Sequence, residues 1–329
     1  MKSFFSFSLT GKDWWKPFIA YWILYLVMNG VQQRITQKSI FIIDHPGSYT
    51  LVSILITLGM VILSSIFMIL FLRIILPKLS INGKEFAFRG NIGTYLKITL
   101  VGTFLTIITL TIYLPWYLRR VTSYMVSETT FSDGSPEFLG KPGKYLKWFL
   151  LSFWLPMIAV IAVTAAIAGT SYLNGVFDPD YIPQTAVSIW MFLTVLAMLI
   201  VLVPFYYLMY KWLVNFRWND VSVEWQTSFW PSCGFILEQL LLSIITLGIY
   251  WPAALLRIFG YFAERTVFTR EGLIMGRLGF SGEIGKGFGL IWGQTLLSAI
   301  TLGIYIPWAT AKIGRWVAST TYYEELSPM

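Results

Sequence analysis

Three polar side chains lie deepest inside the apolar runs of this sequence: Glu238, Gln239 and Gln294. A carboxylate held in lipid can carry a proton, and burial raises its pKa. Glu238 therefore reads either as a proton-bearing group on a polar path or as an interfacial acid, because Trp230, Pro231 and Cys233 just precede it. The two glutamines read as lining of that path or as hydrogen-bonding groups between helices. A second set is basic and aromatic. Arg120, Arg257 and Lys312 hold equivalent places in three repeats, with Tyr124, Tyr261 and Trp316 four residues on. Residues at i and i+4 share a helix face. At a membrane interface such a face meets lipid phosphates and glycerol, or simply snorkels and anchors.

Other chemistry is poorly served. Cys233 is the one cysteine and His45 the one histidine. That excludes an intrachain disulfide and a cysteine-based zinc site, and leaves little for His-pair metal binding or a Ser–His triad. No GxxxxGK[ST] loop occurs, and residues 282–289 (GEIGKGFG) lack the preceding parallel strand a nucleotide loop requires. Asp178 and Asp180 flank Pro179 in a short polar loop, where solvation is the ordinary role of such a pair and weak cation binding the alternative. No catalytic constellation, metal site or cofactor is expected.

Repeats position these residues. Segments 105–113 (LTIITLTIY), 242–250 (LSIITLGIY) and 297–305 (LSAITLGIY) are copies of one phrase, so one structural unit is used several times. Thr109, Thr246 and Thr301 stand before the turn, Tyr113, Tyr250 and Tyr305 close it, and Pro115, Pro252 and Pro307 follow. A proline there ends or kinks a helix, and the threonine hydroxyls can satisfy the carbonyls it frees. Gln239 and Gln294 align with each other, whereas the first repeat has Gly102.

The chain is 56% hydrophobic and 12% charged, about half the charge of a soluble domain. Its 15 Trp, 18 Tyr and 25 Phe suit membrane interfaces. The expected fold is an all-α polytopic membrane protein with internal repeats. Segments 14–31, 49–72, 148–169 and 185–210 have the length of spans. Loop 174–184 carries Asp178 and Asp180 and no Lys or Arg, while Lys78, Lys141, Lys144, Lys147, Lys211 and Arg217 flank the spans. The positive-inside rule then places both termini and the basic loops in the cytoplasm. Each repeat consequently enters and leaves on the same face, as a membrane-dipping helical hairpin; three full spans with a weak charge rule are the alternative. Between the helices, Asn82-Gly83 marks a hairpin turn, Phe86-x-Phe88-x-Gly90 is echoed by Phe280-Ser281-Gly282, and Phe5-Ser6-Phe7 is a further echo. These read as short cytoplasmic β-hairpins, either separate or joined in a small layer. The chain divides into 1–90 (spans and hairpin), 91–147 (repeat one), 148–217 (two-span hairpin), 218–282 (repeat two) and 283–329 (repeat three).

F-x-F-x-G, a Leu-rich stretch, Thr-Leu-Gly-Ile-Tyr-x-Pro-Trp and a basic–aromatic helix ending near a threonine together resemble the YjgN-like family of bacterial inner-membrane proteins. The match covers 86–140 and 225–321, with Thr111, Ala253 and Gly102 departing from the pattern. The resemblance implies a multi-pass protein of the bacterial inner membrane. It carries over no catalytic residue, because the family has no established activity. Members are often encoded beside a membrane-associated metallopeptidase, so the resemblance suggests such a partner. The function expected is a transporter or channel for a small solute, with Glu238, Gln239 and Gln294 near the path. The alternative is a non-transporting scaffold that holds anionic lipid or protein. A nucleic-acid partner is not expected.

Overall fold

The computed structural model describes residues 1–41, 46–131, 134, 136–173 and 184–326. His45, Asp178 and Asp180 lie outside the described residues. Five β-α-α-β units follow one another. The first is β1 (Lys2–Phe7), α1 (Gly11–Phe41), α2 (Pro46–Ile75) and β2 (Leu79–Ile81). The second is β3 (Lys84–Phe88), α3 (Ile92–Ile108), α4 (Leu114–Ser127) and β4 (Thr129–Phe131). In the third, β5 (Glu137–Phe138) leads to α5 (Pro142–Phe149), a π turn over Leu150–Trp154, α6 (Leu155–Leu173), α7 (Gln184–Leu213) and β6 (Phe216–Trp218). The fourth is β7 (Val221–Trp225), α8 (Phe229–Ile245), α9 (Trp251–Ala263) and β8 (Thr266–Arg270). The fifth is β9 (Leu273–Phe280), α10 (Ile284–Ile300), α11 (Ile306–Thr320) and β10 (Thr321–Glu325).

The all-α expectation fails here. The strands form one ten-stranded antiparallel sheet in the order β4-β3-β2-β1-β10-β9-β8-β7-β6-β5. Lys2 pairs with Glu324 and Phe4 with Tyr322, so the two ends of the chain knit the sheet together. The sheet curls into a half-barrel. Phe131 on β4 meets Trp218 on β6 edge to face at 4.8 Å, whereas a flat sheet would hold those strands roughly 38 Å apart. Strands of two to eight residues carry too few alternations to announce a shared sheet, and the pairing of residues more than 300 positions apart is invisible to any local pattern.

The span count also changes. Among the described residues three helical stretches are long and apolar enough to cross a membrane: Thr50–Lys78, Pro142–Val163 and Met191–Leu213. They allow a membrane location. Segment 14–31 is not among them; it belongs to α1, where Lys12, Asp13 and Lys16 open the helix and Gln32, Gln33, Arg34 and Lys38 continue it. The helices of the three repeats are not among them either. Each forms a helical hairpin, α3–α4, α8–α9 or α10–α11, whose two legs both return to the sheet.

The repeated aromatic–x–glycine phrase shows why the units share a root. Added Cβ atoms at Gly90, Gly140 and Gly282 would lie 2.4, 2.3 and 2.3 Å from the rings of Phe88, Phe138 and Phe280. Each ring folds back over a glycine as the chain leaves the sheet, and only glycine leaves room for it. Phe88 and Phe138 then sit in separate buried clusters, with Ile69 and Tyr95 in one and Tyr145, Phe149, Phe205 and Trp212 in the other.

Candidate functional site

The hairpin turns are built alike in all three repeats. Thr246 Oγ donates to Leu242 O at 2.8 Å and accepts Tyr250 N–H at 3.0 Å. Thr109 and Thr301 do the same for Tyr113 and Tyr305. Two successive residues then turn left-handed: Leu247 and Gly248 at φ 50° and 85°, Leu302 and Gly303 at 50° and 89°, Leu110 and Thr111 at 47° and 72°. Pro115, Pro252 and Pro307 sit at the start of the returning helix, where no N–H is needed. All three prolines are fully buried.

The two glutamines bond within separate hairpins. Gln239 is fully buried and accepts the Tyr250 hydroxyl at 2.8 Å. Gln294 accepts the Tyr305 hydroxyl at 3.1 Å. Each amide ties its own turn to the first leg of its own hairpin. In the first repeat the same space is filled differently: an added Cβ at Gly102 would lie 2.0 Å from the Tyr117 ring. Tyr117 aligns with Ala254 and Ala309, so Gly–Tyr replaces Gln–Ala, a small-for-large exchange across the hairpin. Glu238 is exposed on the outer side of α8. None of the cavities described below is lined by Glu238, Gln239 or Gln294.

The basic–aromatic sets also separate. Arg120, Arg257 and Lys312 are exposed. Lys312 Nζ donates to the Tyr305 hydroxyl at 2.9 Å, and Arg257 stands 5.7 Å from the Tyr250 ring centre. Their partners face inward instead. The Tyr124 hydroxyl donates to Asn91 O at 2.9 Å, Tyr261 stacks on Phe235 at 4.4 Å, and Trp316 meets Phe280 edge to face.

Sequence reasoning missed the cavities of the third and fourth units. One, of about 310 Å³, is lined by Lys141, Lys144, Lys211, Trp148, Trp225 and Glu224 among others. A second, of about 600 Å³, is almost wholly apolar and lies between α7, α8, α9 and the sheet, with Tyr210, Trp225, Ile258, Phe259 and Leu278 in its wall. Trp225 belongs to both. A third, of about 380 Å³ between the first two units, has a mainly apolar surface although many of its residues carry hydroxyls, including Thr57, Ser64, Ser65, Thr99 and Tyr117. The lysines were legible as flanking charge, but their convergence needs α5, α7 and β7 to meet.

Fold and site together define a sheet-based protein with three potential membrane spans and three buttressing hairpins. The family model described as bacterial protein of unknown function (DUF898) matches residues 18–274. The chain belongs to this family, of which YjgN-like proteins are members. No curated protein and no solved structure matches the chain.

Proposed function

We propose that the protein is an integral protein of the bacterial inner membrane that binds lipid at the cytoplasmic interface and does not conduct a solute. The observation that carries this is the hairpin tip. Leu110, Leu247 and Leu302 are 79%, 93% and 81% exposed at the point farthest from the sheet. Neighbouring Ile107, Ile112, Ile245, Ile249, Ile300 and Ile304 are exposed as well. Apolar surface of this extent is ordinary in lipid and costly in water. Length agrees: a 17-residue leg reaches about 26 Å, short of the roughly 30 Å core, while the 30-residue α2 and α7 reach about 45 Å. The tip backbone is also supported as non-helical chain in lipid must be. Trp22 Nε1 donates to Leu302 O at 3.2 Å, and Trp292 Nε1 to Ile249 O at 2.8 Å.

Arg217, Arg270 and Arg277 lie on the strands, and the first and last strands, β1 and β10, join the sheet. The positive-inside rule supports a cytoplasmic sheet. Against transport, Glu238 faces outward and the two glutamines are closed within separate hairpins. The reading needs no catalytic step. Spin labels at positions 247, 302 and 270 of a variant lacking Cys233, reconstituted in liposomes, test it. Labels at 247 and 302 should be relaxed by oxygen and shielded from a water-soluble nickel chelate, with 270 the reverse. Equal nickel access at all three positions would refute membrane insertion.

A further inference from the structure

The lysine-lined cavity and the apolar cavity share Trp225 in their walls. We infer that together they form one binding site for an anionic phospholipid, the phosphate among the lysines and an acyl chain in the apolar chamber. The inference rests on the membrane reading above and deepens it.

The polar half is assembled from three elements. Lys141 and Lys144 come from the start of α5, Lys211 from the end of α7, and Glu224 from β7. Among the described residues no carboxylate lies within ion-pair distance of any of the three ammonium groups; the salt bridges are elsewhere. Lys211 is half-buried and held in place, donating to Thr227 O at 3.0 Å and standing 5.8 Å from the Tyr207 ring centre. Lys144 lies 5.0 Å from the Trp148 ring centre. The floor is rigid as well, because Trp212 Nε1 donates to Lys141 O at 3.1 Å. Three cations against one acid leave the cavity positive, which selects an anionic headgroup over a zwitterionic one. The helix α5 begins at this rim with no side-chain cap, so its free N–H groups add to the same field.

The apolar half fixes the class of ligand. Its volume of about 600 Å³ is in the range of small-molecule sites, and its wall of Tyr, Trp, Phe, Ile and Leu offers almost nothing to a free phosphate. Trp225, stacked on Phe262 at 4.1 Å, is the shared wall at which head and tail would part. An amphiphile uses both chambers; inorganic phosphate uses one.

The test is a titration of full-length protein in neutral detergent, read by thermal shift and native mass spectrometry. The probes are dioctanoyl phosphatidylglycerol, dioctanoyl phosphatidylcholine and inorganic phosphate. Phosphatidylglycerol should bind at least ten-fold more tightly than phosphatidylcholine. Lys211→Gln should weaken it roughly ten-fold, as loss of a charge-assisted hydrogen bond does. Lys144→Gln, at an exposed position, should act in the same direction without threatening the fold. Ile258→Trp, which fills the apolar chamber, should weaken phosphatidylglycerol and leave phosphate unchanged. Inorganic phosphate binding as tightly as phosphatidylglycerol, with Ile258→Trp silent, would make this a free-anion site and overturn the inference. Unchanged phosphatidylglycerol affinity in both lysine variants would overturn it too. Either result leaves membrane insertion intact if labels at 247 and 302 are still lipid-shielded, so the two readings fail separately.

Discussion

Replacing Thr111 with glycine should stabilise the protein. Thr111 is a β-branched residue at φ 72°, where the other two hairpins place Gly248 and Gly303. A left-handed conformation costs a non-glycine residue about 1–2 kcal/mol, and β-branching makes it worse. The Thr111 hydroxyl is also buried without a hydrogen-bond partner, a desolvation cost of about 1–3 kcal/mol. Glycine returns about 0.5–1 kcal/mol through its larger unfolded-state freedom. The net expectation is a gain of about 1–4 kcal/mol, or a rise of roughly 1.5–6 °C in Tm for a chain of this size. Thermal unfolding of Thr111→Gly by intrinsic fluorescence in detergent, beside the reciprocal Gly248→Thr, is the assay. The reciprocal variant should lose a similar amount. A Tm that does not move in Thr111→Gly, or a harmless Gly248→Thr, would refute the strain argument.

Three further outcomes follow from the same geometry. Tyr250→Phe and Gln239→Leu should each destabilise, but their double variant should recover about 1 kcal/mol of coupling in chemical or thermal unfolding, because neither partner is then left unpaired. Gly102→Gln alone should overpack the first hairpin, costing about 1–3 kcal/mol, and Tyr117→Ala should rescue it by recreating the pairing of the other two repeats; a failure to rescue would refute the exchange. Asp13 accepts Thr10 N–H at 2.6 Å and the Thr10 hydroxyl at 2.8 Å at the start of α1, and these bonds hold its carboxyl below the usual carboxylate range. A depressed pKa contributes stability above the unfolded value near 3.9, and that stability disappears as pH falls through the folded value. Asp13→Asn should therefore melt lower than the parent at pH 7, by about 0.3–1 kcal/mol, and the difference should shrink as the pH is lowered through the folded value.

The sequence by itself determined the hairpins. The phrase Thr-Leu-x-Ile-Tyr-x-Pro encodes its own turn: threonine caps, two left-handed residues reverse the chain, and proline restarts the helix. All of those interactions span a few residues, so three copies of the phrase mean three copies of the turn. Composition marked four apolar stretches of span length, and three of them, 49–72, 148–169 and 185–210, overlap the helices long and apolar enough to cross a bilayer, whereas 14–31 does not. Tertiary structure alone decided the rest. The five-unit sheet depends on β1 pairing with β10 and on Phe138-Leu139-Gly140 acting as one more root, although no hairpin phrase follows it. Glu238 read either as a proton-bearing group on a polar path or as an interfacial acid, because a linear run cannot say which side of a helix meets protein; α8 turns that side outward. Lys141, Lys144 and Lys211 read as ordinary flanking charge, since each is flanking charge locally. They become one cavity only because the sheet brings the start of α5 and the end of α7 to the same wall beside Trp225.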